Sequence, residues 1–286
     1  MIGSGPGGAF LARQLADSGR SVILVEAGPV VRPGDTKKEA GYTLARYFWD
    51  AGLRSSGGNV MMPTLQARAL GGGSVFNSAI CMRIPDFALA RWRKDYGIRL
   101  QPDDLAPHFE TVERLMNVRP VDPSVQGRRN ELFRIGAEKL GFNAVPVDRN
   151  EDGCKGSGEC LTGCPTHAKK SLDVRGVPEI LARSGRVYTS IAIDELILDG
   201  NRARGAIGHV IDAEGRKLHP ARFTAKCTIV AAGAIATPVL LQKSGIKNDP
   251  VGRNLQFHPG TAVMGVFEED VMPWSGATQA TTASTS

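Results

Sequence analysis

Three stretches of this 286-residue sequence predict an α/β fold, with a parallel sheet wrapped by helices and an antiparallel meander and helical segments inserted into it. The first is Ile2-Gly3-Ser4-Gly5-Pro6-Gly7-Gly8-Ala9-Phe10, which reads as the end of a strand, a glycine turn and the start of a helix. The second is Val22-Ile23-Leu24-Val25, an unbroken apolar run of the kind buried on both faces of a parallel sheet. The third is a succession of strand patterns over 187–223, followed by a buried strand over 226–233 that ends in small residues.

The glycines occupy the G-x-G-x-x-G positions as Gly3, Gly5 and Gly8. In such a turn the first glycine permits a tight bend and the second lets a pyrophosphate approach the backbone. The third lets helix and strand pack closely. The helix that follows offers N–H groups and the positive end of its dipole to phosphate. Leu11/Leu15 and Ala12/Ala16 recur four apart along it, and Gly19 is placed to end it. The apolar run then ends in Glu26, where a carboxylate accepts from ribose hydroxyls. The glycine pattern alone is weak; with strand, helix and acid in register it points to a bound dinucleotide.

Charged residues at 22% and hydrophobic residues at 42% suit a globular protein with a sizeable core, in one large or two modest domains. No apolar run reaches membrane-spanning length. The net charge of +6 is spread out, and Arg128-Arg129 and Lys169-Lys170 read as solvated pairs, so no nucleic-acid partner is expected. Only Met1-Ile2 precede the glycines where a first strand normally has five or six residues, so the start is expected to be incomplete. This leaves the compartment open between cytoplasm and periplasm. The last residues, 276–286, are small and polar and are expected to be disordered.

Between these landmarks, residues 36–50 are mildly helical, and glycine-rich and polar segments run to Gly58. Gly71-Gly72-Gly73-Ser74 lets the backbone lie against a flat ligand, with Asn77 able to hydrogen-bond it; the apolar flanks Leu70, Val75, Phe76 and Ile80 argue against a free surface loop. Residues 84–118 look helical from Pro85-Asp86 onward, and 128–140 form a second amphipathic helix stopped by Gly141. A short helix is expected over 177–183. Strands follow over 187–193, 195–198, 203–211 and 217–223, then the buried strand and a helix over 237–243 with Pro238 in its first turn.

Gly153-Cys154-Lys155-Gly156-Ser157-Gly158-Glu159-Cys160-Leu161-Thr162-Gly163-Cys164-Pro165 has the spacing C-x5-C-x3-C-P. Thiolates are the usual ligands of iron–sulfur clusters, and a proline after the last cysteine recurs in ferredoxin-type runs. Lys155, Lys169 and Lys170 are at hand to offset thiolate charge. Zinc fits less well, since a closed site needs four ligands and only His167 is nearby. Three reduced cysteines, or one disulfide and a thiol, in a loop covering the dinucleotide-binding domain is the reading set ahead of both. Cys81 and Cys227 stand alone, Cys227 in an apolar strand as a small core residue.

Taken together, the chain resembles the glucose–methanol–choline (GMC) family of flavin oxidoreductases. The resemblance rests on the Gly3-to-Gly28 unit, on Arg68-Ala69-Leu70-Gly71-Gly72-Gly73-Ser74-Val75-Phe76-Asn77, and on the stretch from Gly233 through Thr237-Pro238 to Gly245-Ile246. Val251-Gly252-Arg253-Asn254-Leu255-Gln256 and His258-Pro259 extend it to about residue 275. It implies a two-dinucleotide-type FAD domain over 1–83 and 186–259, and a helical and Cys-rich insertion over 84–185. It also implies the start of a substrate-binding sheet over 260–275, with a first strand at 260–267.

The resemblance further implies that Gly3, Ser4, Gly5, Gly7 and Gly8 cradle the FAD pyrophosphate. Glu26 and Ala27 lie at the adenosine ribose, and Ile193 at adenine. Gly72, Gly73, Ser74 and Asn77 line the flavin side, with Ala232 and Gly233 close to the cofactor. Phe76 stands where some relatives carry the histidine that attaches FAD covalently, so non-covalent FAD is expected. Lys247 and Phe257 also depart from the family pattern, Phe257 in a way that suits bulkier, more apolar alcohols.

The expected reaction is oxidation of an alcohol to an aldehyde or ketone by hydride transfer to flavin N5, with a quinone, cytochrome or oxygen as electron acceptor. None of His108, His167, His209, His219 and His258 matches the family's catalytic base, which is expected beyond this chain. The Cys-rich loop resembles those of long-chain alcohol oxidase-like relatives and of sugar dehydrogenases with an iron–sulfur cluster, which makes Cys154, Cys160 and Cys164 candidate ligands. Two other readings stand beside this one: an NAD-dependent dehydrogenase, and a truncated, non-catalytic nucleotide-binding fragment.

Overall fold

The computed structural model of the chain describes residues 1–284 except 33, 36–38, 58, 59 and 259. Residues 36–38 of the mildly helical stretch, Gly58, Pro259 of the His258-Pro259 pair and the last two residues of the tail lie outside the described residues. The helices are α1 (Pro6–Asp17), α2 (Ala40–Tyr47), α3 (Asp86–Tyr96), α4 (Pro102–Met116), α5 (Arg128–Lys139), α6 (Val177–Ala182) and α7 (Gly233–Lys243). The strands are β1 (Ile23–Val25), β2 (Val118–Pro120), β3 (Asn143–Pro146), β4 (Asp148–Asn150), β5 (Arg186–Tyr188), β6 (Ile191–Asp199), β7 (Arg202–Ile211), β8 (Lys217–Thr224) and β9 (Thr281–Ser284). They divide between two compact units, Met1–Phe76 with Leu172–Glu268 and Asn77–Ser171 with Glu269–Ser286.

In the first unit a parallel sheet carries the glycine turn. Ile2 bridges Val25 on one side and Val230 on the other, and β1 pairs with β5 in register Ile23↔Arg186 to Val25↔Tyr188. The run Val22–Val25 was expected to be buried on both faces, and Val22, Leu24 and Val25 are. α1 packs on this sheet through Ala12 and Ala16, which meet Val22, Leu24, Leu70, Val177 and Ile180. Leu11, expected on the same stripe, is exposed instead. The contact stripe is made of the small alanines, which let the helix axis come close to the sheet.

The meander β6-β7-β8 is antiparallel throughout. The two strands expected at 187–193 and 195–198 divide differently. β5 ends at Tyr188, Ser190 turns the chain with a φ of +57°, and β6 runs through 194 with a bulge between Ile193 and Glu195. α7 begins at Gly233 rather than at 237, so Pro238 lies inside the helix and, having no N–H, gives the carbonyl of Ala234 no intrahelical donor.

Beside Met1-Ile2 a groove of about 1050 Å³ opens between Val22–Ile23 and Lys226–Ile229. Cys227, expected as a core residue, is exposed on the rim of this groove, because only Val230 of that segment is bridged to a neighbouring strand. No strand forms over 260–267, where Val263, Met264 and Val266 are at least 91% exposed. A strand needs a paired edge, and none of the described strands lies along this segment.

In the second unit the helical stretch 84–118 is two helices. Gly97 ends α3 in the left-handed conformation, and a capping box between Gln101 and Asp104 starts α4. The tail expected to be disordered is built in. β9 pairs antiparallel with β3, Ala277 and Ala280 are buried against Val121, and Asn130 Oδ1 accepts from the N–H of Ala280 (3.1 Å). Its small residues bury little apolar area, but strand pairing uses the backbone and needs none.

Candidate functional site

The glycine turn is shaped by what stands behind it. At Gly3 (φ +95°) a Cβ would lie 2.3 Å from the carbonyl oxygen of Ala231, and at Gly8 one would lie 2.0 Å from the carbonyl oxygen of Gly3. Backbone fills both spaces, so only glycine fits. Gly5, Gly7 and Gly73 face the other way: a Cβ on any of them meets nothing within 4 Å. The open side of these glycines adjoins the first turn of α1, whose leading N–H groups have no partner within the helix. Pro6 at the first helical position gives up only an N–H that the helix does not use.

Glu26, at the end of β1, is buried and fully engaged. Its Oε2 accepts from the N–H of Ser4 (2.9 Å) and the hydroxyl of Ser4 (2.7 Å), and its Oε1 accepts from the N–H of Gly28 (2.8 Å). Burial pushes its carboxyl above the usual range, and these hydrogen bonds oppose the shift. Oε2 thus has both acceptor sites taken, and Oε1 retains capacity to accept a further hydroxyl, as a ribose would supply. Ala27 beside it is half-buried.

The second glycine-rich loop is fastened to the first. The N–H of Gly71 donates to Ser4 Oγ (2.9 Å), and a Cβ on Gly72 would lie 2.8 Å from the Cα of Gly5. Ser74 Oγ donates to the carbonyl of Gly71 (2.7 Å) and accepts from the N–H of Leu172 (3.0 Å). The hydroxyls of Ser4 and Ser74 thus hold loops in place, and the surfaces left for a ligand are backbone. Phe76 is buried against Tyr47 and Phe48, with ring centroids 5.8 and 5.0 Å away.

Arg68, which sequence reasoning singled out only as part of a motif, anchors the same loop. It is buried, donates from Nη2 to the carbonyl of Ala213 (2.6 Å) and lies over the Trp49 ring at 5.4 Å. A charged residue next to a glycine run was the available signal. Ala232 caps α7 and Gly233 (φ +89°) opens it with free space around its Cα. Ile193 is half-buried in β6 and packs on the cluster of Ile2, Leu196, Ala206 and Leu240. Asn77 belongs to the second unit, where its Oδ1 accepts from the N–H of Ala79 (3.1 Å) and its carbonyl from Lys169 Nζ (2.9 Å).

In that unit Cys154, Cys160 and Cys164 line one small cavity. Their sulfurs do not converge: among the described residues no three His, Cys, Asp or Glu side chains are arranged to hold a metal ion. Each sulfur is instead engaged locally, Cys154 by the N–H of Gly156 (3.4 Å), Cys160 by Arg149 Nη2 (3.4 Å) and Cys164 by the N–H of Lys169 (3.5 Å). The residues present do not fit an iron–sulfur cluster as they stand. Lys169, read from sequence as half of a solvated pair, is only 2% exposed, its ammonium donating to the carbonyls of Asn77 and Cys160.

Among the described residues the histidines form no catalytic constellation. His108, His219 and His258 are exposed, and His167 is half-buried with a φ of +53°. His209 Nδ1 is 2.5 Å from Asp194 within the meander.

A match to the GMC oxidoreductase family spans residues 35–260, and the chain belongs to that family of FAD-dependent oxidoreductases. It is 34% identical over 294 residues to an uncharacterized GMC-type oxidoreductase of Mycobacterium tuberculosis, covering 98% of this chain and 44% of that protein. It is 29% identical over 280 residues to a long-chain-alcohol oxidase of Arabidopsis thaliana, covering 94% of this chain and 37% of that one. Among solved structures, pyridoxine 4-oxidase from Mesorbium loti superposes with a TM-score of 0.62 at 20% identity, over 86% of this chain and 51% of the other. The chain therefore spans about half the length of these relatives or less.

Proposed function

We propose that this chain is the cofactor-holding part of an FAD-dependent enzyme that oxidises an alcohol to an aldehyde or ketone and passes the electrons to oxygen. The observation that carries the proposal is the division of labour among the glycines. Gly3 and Gly8 are fixed by backbone behind them, while Gly5, Gly7 and Gly73 leave an open surface at a helix N-terminus, beside a buried carboxylate. In support, relatives named long-chain-alcohol oxidase and choline oxidase match 94% and 91% of this chain.

When bound, the flavin would supply the hydride acceptor. The chain's own residues bind and orient it. The N–H groups of the first turn of α1 would face the pyrophosphate, with the helix dipole adding a favourable field. Glu26 would accept from the ribose hydroxyls, held in the right direction by Ser4 and Gly28. Phe76 keeps its place in an aromatic cluster and offers no nucleophile, so the cofactor is non-covalent.

The test is oxygen uptake by the whole protein with primary alcohols of increasing chain length. Alcohol-dependent uptake with peroxide formation is expected. Turnover that depends on added nicotinamide cofactor would replace this reading with a nicotinamide dehydrogenase. The chain alone is expected to bind FAD and to give no turnover.

A further inference from the structure

We propose that the groove beside Met1-Ile2 is a strand slot: it takes one extended apolar polypeptide segment, inserted parallel to β1 between Val22–Ile23 and Lys226–Ile229. The sheet itself points to it. Ile2 is bridged in parallel to Val25 on one side and to Val230 on the other, so Met1-Ile2 hold a central position in the sheet. The Met1 carbonyl accepts from the N–H of Val25 (2.9 Å), and the Ile2 carbonyl accepts from the N–H of Ala231 (2.7 Å).

This ladder stops short on both flanks. The carbonyl of Ile229 accepts from the N–H of Ile2 (2.9 Å), and the carbonyl of Ile23 accepts from the Met1 amino group (2.8 Å). In a parallel pair a bonded residue turns its N–H and its carbonyl to the same side. The N–H groups of Ile23 and Ile229 therefore face the groove, and among the described residues neither has a hydrogen-bond partner. A strand running toward Met1 places two successive carbonyls on these two N–H groups, in the alternation that Met1 and Ile2 already follow. Strand addition to such unpaired edges satisfies backbone groups that otherwise stand open.

The lining sets the chemistry of the occupant. Leu15 of α1 and Ile193 and Phe223 of the meander line the groove together with its two edges. A strand packed between them is apolar on both faces and reads as an unbroken run, as Val22–Val25 does. About four residues at ~3.3 Å each match the open edge 226–229. Arg20, Arg186 and Lys226 also line the groove, at the amino ends of the three parallel segments, and no Asp or Glu is among the described lining residues. The occupant is therefore an apolar run with a carboxylate at its amino end, where it meets these cations. The slot ends on the glycine turn: Gly3 follows Ile2, and its N–H donates to the carbonyl of Val25 (2.8 Å). A strand seated in the slot extends that ladder and holds the turn from behind.

The test compares this chain as it stands with two extended forms. One carries an Asp and a short valine run ahead of Met1, and the other carries a Gly-Ser run of the same length. Maleimide labelling of Cys227, located by peptide mapping, and hydrogen exchange at the amides of Gly3, Ile23 and Ile229 are followed in each. None of these readouts involves a flavin, so they are independent of the proposed function. With the valine extension, labelling and exchange are expected to slow about tenfold or more, since each site then opens only when the strand leaves. With the Gly-Ser extension they are expected to keep the rates of the unextended chain. Unchanged rates with the valine extension overturn the assignment, and so does equal slowing by the Gly-Ser run. Equal protection of Cys227 in the unextended chain by dodecanol makes the groove a lipid site and overturns it too.

Discussion

The hydroxyl of Ser4 ties the two glycine-rich loops together: it accepts from the N–H of Gly71 at 2.9 Å while donating to Glu26 Oε2 at 2.7 Å. All of this is buried, so water cannot replace either bond. Ser4→Ala leaves the Gly71 N–H without an acceptor, at a cost of about 1–3 kcal/mol. We expect urea unfolding to show that loss, and FAD affinity to fall because the two loops are no longer held in register.

Gly5→Ala and Gly8→Ala should separate folding from cofactor binding. A methyl on Gly8 meets the carbonyl oxygen of Gly3 at 2.0 Å, so that variant should lose its melting transition or shift it sharply down. A methyl on Gly5 meets nothing in the protein, so its unfolding in the FAD-free state should match the wild type. Its FAD binding should nonetheless be lost, because the methyl occupies the approach to the backbone. Equal FAD affinity in Gly5→Ala and wild type would place the phosphate elsewhere.

Glu26 carries a sign that pH can read. Its folded carboxyl titrates above the ordinary range because of burial, so the folded state holds a proton that the unfolded state has already lost. Its contribution to stability is present below about pH 4, the unfolded value, and is lost as pH rises through the folded value. Glu26→Gln removes the titration. The stability difference between variant and wild type, measured in the FAD-free protein, should therefore shift in favour of the variant as pH rises from 4. A difference independent of pH would contradict the burial of this group.

Phe76 is part of the hydrophobic core, packed with Tyr47, Phe48, Val31, Ala69 and Val75. Phe76→Ala should cost about 3–5 kcal/mol in denaturant unfolding. In the wild type, acid precipitation should release all of the flavin into the supernatant, since no nucleophile stands at this position. Flavin that stays with the pellet would show a covalent link.

Much of the cofactor unit was legible because its rules are local. The spacing of Gly3, Gly5 and Gly8, the apolar run at 22–25 and the acid at 26 each follow from backbone geometry or from period, and their neighbours in sequence supply the context. What was not legible depends on partners distant in the chain. The hydroxyls of Ser4 and Ser74 reach Glu26, Gly71 and Leu172, partners that their neighbours in sequence do not announce. Lys169 looked solvated because it follows a loop and precedes another lysine, and only the fold shows the carbonyls around it. The tail misled for a related reason: composition measures the apolar area that side chains can bury, whereas β9 is held by backbone hydrogen bonds to β3. Arg149 gave no signal in sequence, because an arginine between Asp148 and Asn150 reads as surface.

The central claim is that the glycine turn, Glu26 and the second glycine loop hold a flavin. The visible absorption spectrum of the whole protein as purified, recorded before and after anaerobic addition of a primary alcohol, tests it most directly. We predict flavin bands at close to one FAD per chain, bleached by the alcohol. A colourless protein that stays colourless when reconstituted with FAD would contradict the account.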